Sequence, residues 1–111
     1  MDSLCEVTPG FPGSLRLAGE LDISALSRII EALDRLKPHG DLELDLTGLT
    51  FMDSAGVYVL TYAATLVEPM GRLVLVGPTR QVQRVLDLSG IVQWAPNVEV
   101  VHHAGLRRAS A

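Results

Sequence analysis

The feature that most constrains this 111-residue chain is a hydrophobic period that changes repeatedly along it. Asp41-Leu42-Glu43-Leu44-Asp45-Leu46 alternates strictly between charged and apolar residues, the pattern of a half-buried strand. Just upstream, Leu26, Ile29, Ile30, Leu33 and Leu36 follow the i, i+3, i+4, i+7 spacing of a helix with one buried face. A chain that switches between these periods several times must build layered α/β structure.

Read through, the switches give the order β-β-α-β-α-β-α-β. A strand over Ser3–Val7 meets the turn-rich Pro9-Gly10-Phe11-Pro12-Gly13, and a second strand carries Leu15, Leu17 and Gly19. The first helix starts at Ser24, capped by Ser24 or Asp22, and stops at Pro38 and Gly40. The alternating strand ends in a turn, Thr47-Gly48-Leu49-Thr50, before a second helix from about Ser54 to Glu68 that Pro69 and Gly71 close. Leu73–Val76 is a short apolar strand, Thr79 caps a third helix through Val82, Val85 and Leu86, and Gly90 stops it. Val98–Val101 is the last strand.

This order predicts one α/β domain with a mostly parallel mixed sheet of about five strands and right-handed crossovers. A parallel strand covered on both faces is normally apolar throughout, yet here charges alternate in strands that should be central. Three to four helices are therefore expected mainly on one face, with Arg16 and Glu43 facing each other on an open one. Residues 1–104 form the domain and 105–111 a flexible tail. Within that tail, Arg107-Arg108-Ala109-Ser110 has the form of a basic-directed kinase site, a pattern common in disordered ends.

Several function classes fall away. Thirteen acidic against nine basic residues leave a net charge of −4, which repels a phosphate backbone, so no nucleic-acid partner is expected. Cys5 stands alone and excludes an internal disulfide. Met1-Asp2-Ser3-Leu4 lacks the basic flank and apolar core of a signal peptide. The longest apolar run, Val57–Val67, is broken by Thr61, Tyr62 and Thr65 and falls short of the ~18 residues a span needs, so a cytoplasmic chain with no membrane association is expected. Neither glycine-rich phosphate fingerprint occurs, and His39, His102 and His103 lack metal-site spacing. Met52-Asp53-Ser54-Ala55-Gly56 places a serine between strand and helix, but it lacks the first glycine of a nucleophile elbow and a histidine to serve as base. No cofactor, metal or enzymatic activity is expected.

Two stretches exceed what folding needs: Leu17-Ala18-Gly19-Glu20-Leu21-Asp22, and Leu44-Asp45-Leu46-Thr47-Gly48-Leu49-Thr50-Phe51-Met52-Asp53-Ser54-Ala55-Gly56. Together they resemble the anti-sigma factor antagonists, whose fold is the STAS domain. The likeness continues through Gly71–Pro78 and Val85–Ile91, covering about Leu15 to Val101. It departs at Ala25, where threonine is common, and at Val57, where leucine is common.

The resemblance implies partner switching. The unmodified antagonist binds an anti-sigma factor of the serine-kinase type and frees a sigma factor; phosphorylation breaks the complex, and a serine phosphatase restores it. By position, Ser54 is then the phosphoacceptor, Asp53, Ala55 and Gly56 frame it, and Glu20, Leu21, Asp22 and Ser24 form the neighbouring contact loop. STAS-like domains also regulate transporter ATPases and larger signalling assemblies, and a domain sensing a nucleotide or lipid is a further alternative.

The residues speak independently of the resemblance. Ser54 falls at or near a helix N-cap, a favoured serine position with no other function required. Tyr58, Thr61, Tyr62 and Thr65 make a polar but uncharged stripe along the second helix. Loss of charge with tyrosine enrichment suits the core of a protein interface, although burial against neighbouring elements gives the same pattern. Asp22 serves equally as a cap, and Arg72, Arg80 and Arg84 fit an ordinary solvated face.

Overall fold

The computed structural model describes residues 5–38 and 40–102. Strand β1 (Cys5–Pro9) pairs antiparallel with β2 (Ser14–Leu21), and the Phe11 carbonyl closes the hairpin by accepting from both the Ser14 N–H and its hydroxyl, at 2.9 and 2.8 Å. Residues 3 and 4 of the first expected strand lie outside the described residues. A 3-10 turn (Ile23–Ala25) leads into α1 (Leu26–Leu36), followed by β3 (Leu42–Met52) and α2 (Ser54–Val67). The chain continues through β4 (Leu73–Val76), α3 (Arg80–Ser89), α4 (Ile91–Trp94) and β5 (Val98–Val101). The sheet order is β1-β2-β3-β4-β5, parallel from β2 onward.

One apolar cluster joins the buried side chains of all four helices to one face of the sheet. Leu15 and Leu17, Leu42, Leu44 and Leu46, and Leu73 and Leu75 supply that face; Ile29 and Leu33, Val59 and Leu60, Val82 and Leu86, and Ile91 supply the helices. Arg16 and Asp45 alternate onto the other face, where register sets them opposite each other with Nη1 and Oδ2 3.8 Å apart. The close strand pairing of Arg16 is thus with Asp45, while Glu43 stands opposite Ser14.

The turn expected at Thr47-Gly48-Leu49-Thr50 is not there. Strand β3 runs on through it for eleven residues in all. Its register with β2 slips twice, between Arg16 and Ala18 and between Gly19 and Glu20, each time giving β3 one extra residue. Such bulges bend a strand and reset which side chains face the core. That is why Leu46, Leu49 and Met52, three residues apart, are all buried.

One further expectation needs correction. Thr79 occupies the N-cap position of α3, but its hydroxyl donates instead to the Leu49 carbonyl at 2.8 Å. The fourth helix, within the expected three to four, falls at Ile91–Trp94, a single turn too short for a period to mark its place. Gly90 produces it: its left-handed backbone (φ 71°) ends α3 and starts α4 at once.

Candidate functional site at the carboxyl ends of β2 and β3

Parallel strands β2 and β3 finish side by side, Leu21 opposite Met52, and the Asp53 N–H donates to the Leu21 carbonyl at 3.4 Å. Each strand is followed by an aspartate in extended conformation that caps what comes next. Asp22 Oδ1 accepts from the Ser24 N–H at 2.9 Å and from its hydroxyl at 2.6 Å. Those two bonds, the hydroxyl's first, hold the Asp22 carboxyl below its ordinary range. Asp53 Oδ1 accepts from the Ala55 N–H at 2.9 Å and starts α2. The segments that follow β2 and β3 are thereby brought together at the carboxyl ends of the two strands.

Ser54 is therefore not the cap. It is the first helical residue, exposed, and among the described residues none hydrogen-bonds its hydroxyl. Gly56 is buried because α2 presses onto the end of β3: a Cβ there would lie 2.0 Å from Met52 Cγ. Ala55 is half-buried.

Around Ser54 the surface mixes acidic and apolar groups. Glu20 is exposed and Asp22 and Asp53 are half-buried. Leu21, expected in the contact loop, is fully enclosed and belongs to the core, so its side chain offers no contact surface. Beside them stand three exposed hydrophobic residues: Ile23 (77% exposed), Phe51 (39%) and Tyr58 (57%). Tyr58 lies one turn beyond Ser54 on the same helix face. Ile23 and Phe51 are absent from the sequence-based site. Ile23 hides in the sequence because its spacing to Leu26 matches the helix period. Phe51 keeps the outward side that alternation from Leu42, Leu44 and Leu46 gives it, because the two bulges cancel beyond Thr50.

The polar stripe of α2 divides. Tyr58 and Thr65 are exposed, while Thr61 and Tyr62 are half-buried. The Thr61 hydroxyl donates to the Val57 carbonyl at 2.9 Å, and that of Thr65 to the Tyr62 carbonyl at 2.7 Å. Tyr62 packs on the core and donates to Asp34 Oδ1, tying α2 to α1, and this bond holds its phenol above the ordinary range. The stripe is thus partly a helix–helix contact, and Tyr58 is its exposed end nearest Ser54.

The described residues contain no group of three or more His, Cys, Asp or Glu able to hold a metal, and no helix long and apolar enough to cross a membrane. The tail expected at 105–111, with Ser110, lies outside the described residues.

Known proteins carry the same architecture. The family described as "Mlab, STAS domain" matches residues 7–101. The "Anti-sigma F factor antagonist" of Lysinibacillus sphaericus is 34% identical over 84 residues, 72% of this chain and 72% of that one. The chain belongs to the STAS-domain family, among its anti-sigma factor antagonists. In fold it is similar to the anti-sigma factor antagonist SpoIIAA in its unphosphorylated form, with a TM-score of 0.70, 21% identity and 96% of each chain covered. The phosphorylated form of the Bacillus cell fate determinant SpoIIAA gives a TM-score of 0.59 at 19% identity, with 96% of this chain and 99% of that one covered.

Proposed function

We propose that this chain acts by partner switching, with Ser54 as its phosphoacceptor and the surface around it as the docking site for an anti-sigma factor of the serine-kinase type. The observation that carries the reading is Ser54 itself: an exposed hydroxyl, relieved of capping by Asp53, at the first position of α2. Exposed Ile23, Phe51 and Tyr58 offer the apolar contact area an interface core uses.

In the unmodified state the partner covers this surface and the sigma factor is free. The partner's kinase site then transfers the γ-phosphoryl group of ATP to Ser54 Oγ: the bond from the γ-phosphorus to the bridging oxygen breaks, ADP leaves, and the hydroxyl proton goes to a base of the partner. The product carries about −1.5 to −2 charges beside Asp53, Asp22 and Glu20. Within the isolated domain the positive end of the α2 dipole offsets part of that charge. Under a docked partner the same charge loses its water and meets bulk where there was fit, so the complex dissociates. A serine phosphatase restores the binding form.

The test is incubation with the anti-sigma factor encoded in the native cell and ATP, then mass mapping. Phosphate is expected on Ser54 and absent from Ser54→Ala. Phosphate on Ser24 or Ser27 of the wild type would overturn the assignment.

A further inference from the structure

Beyond Asp45, β3 has a strand on one side only. Its pairing with β4 covers Leu42–Asp45, whereas its pairing with β2 continues to Met52. The stretch that carries the chain to Ser54 is therefore an edge on the β4 side, where backbone groups need partners.

Two side chains from the start of α3 supply them. Thr79 donates to the Leu49 carbonyl at 2.8 Å. Gln81 grips Met52 at both ends of the residue: the Met52 N–H donates to Gln81 Oε1 at 2.9 Å, and Gln81 Nε2 donates to the Met52 carbonyl at 3.1 Å. A primary amide presents a donor and an acceptor side by side, as a strand backbone does. Gln81 so replaces the missing strand for one residue, two positions before Ser54.

We propose that Gln81 is the positioning residue of the phosphoacceptor site, fixing the β3–α2 junction so that the Ser54 hydroxyl is held in one place for phosphoryl transfer. The proposal rests on the partner-switching reading for its kinetic consequence but not for the clamp. Alignment of an attacking hydroxyl governs the rate of transfer, and small displacements are costly. A partner docking on Ile23 and Tyr58 is held by other residues, so loss of the clamp should act on turnover more than on binding.

The experiment pairs hydrogen exchange with kinetics on the full chain. Gln81→Met removes both bonds at similar volume; Gln81→Glu keeps an acceptor for the Met52 N–H but has no donor for its carbonyl. Gln81→Met should raise exchange at Met52 and Asp53 at least tenfold while leaving β4 protected. It should lower kcat for Ser54 phosphorylation more than fivefold with KM within twofold, and Gln81→Glu should fall between. If Gln81→Met does not fold, Gln81→Glu must still show the local exchange and the kcat loss. Unchanged exchange at Met52, a uniform rise across the sheet, or a raised KM with unchanged kcat would each overturn the proposal. Wild-type protein that takes no phosphate on Ser54 would overturn the functional reading instead, and exchange, measured without kinase, would still decide the clamp.

Discussion

Gly56 offers the sharpest test of how the site is built. An added Cβ would lie 2.0 Å from Met52 Cγ and 2.6 Å from its Sδ, where ordinary contact begins at 3.4 Å. Met52 is 1% exposed, and the offending Cγ is not the free end of its side chain, so either Met52 leaves its rotamer or the first turn of α2 lifts from β3. Overpacking of this kind costs about 1–3 kcal/mol. Against it stands the helix preference of alanine over glycine, up to about 1 kcal/mol. Gly56→Ala should therefore lose about 1–2 kcal/mol in urea denaturation followed by circular dichroism. Met52→Ala alone removes a buried side chain at a cost of about 2–5 kcal/mol. In the double variant the new methyl enters the space Met52 vacated, so the pair should be less destabilised than the separate losses predict, with about 1–3 kcal/mol of coupling. Additive losses, or a Gly56→Ala variant more stable than wild type, would refute the account of α2 wedged on Met52.

Other outcomes follow from the site. Asp53→Ala should cost about 1 kcal/mol through loss of the cap, while Ser54→Ala should stay within about 0.5 kcal/mol; urea midpoints separate the two. Tyr58→Glu should weaken partner binding more than tenfold, about 1.4 kcal/mol, with an unchanged melting temperature, as read by calorimetry. Tyr62 has its phenol held above the ordinary range by Asp34, so the stability this bond gives is complete below the unfolded value of 10.0 and is lost as pH rises through the higher folded value. Tyr62→Phe should therefore flatten the alkaline fall in melting temperature. Ser54→Asp should keep the wild-type circular dichroism and lose partner affinity several-fold more than it loses stability, measured side by side.

Local signals placed much of this fold in the sequence, and non-local ones account for what was missed. Leu73–Val76 and the start of α2 at Ser54 agree with the sequence reading, because an all-apolar run and a helix start are written in adjacent residues. The expected turn at Thr47–Thr50 failed because a bulge is defined by what the partner strand does, and β2 lies some thirty residues upstream. The same bulges turn Leu49 into the core. Likewise the hydroxyl of Thr79 and the amide of Gln81 serve β3 rather than α3, a choice made by an edge that only the folded sheet creates. The motif at Ser54 and the exposed Tyr58 were legible, whereas the supporting contacts and the exposure of Ile23 and Phe51 were not.

The division of labour between Asp53 and Ser54 bears on how a switch of this kind reverses. Were Ser54 the N-cap, its oxygen would hold a helix N–H, and each phosphorylation would disturb the bond that starts α2. Asp53 carries that bond to Ala55 instead, so on the partner-switching reading the hydroxyl beside it could be modified with the cap still in place. The incoming charge then meets two opposing effects of similar size in the free domain. The α2 dipole favours it by about 0.3–1 kcal/mol, and the Asp53 carboxylate opposes it in water and salt that screen over roughly 8–10 Å. Their near balance would leave the fold indifferent to a phosphate on Ser54. A docked partner removes the screening and the hydration together, so the unfavourable part grows only in the complex. On the partner-switching reading, the signal therefore appears as affinity and not as unfolding, and the same chain can pass through many cycles of modification.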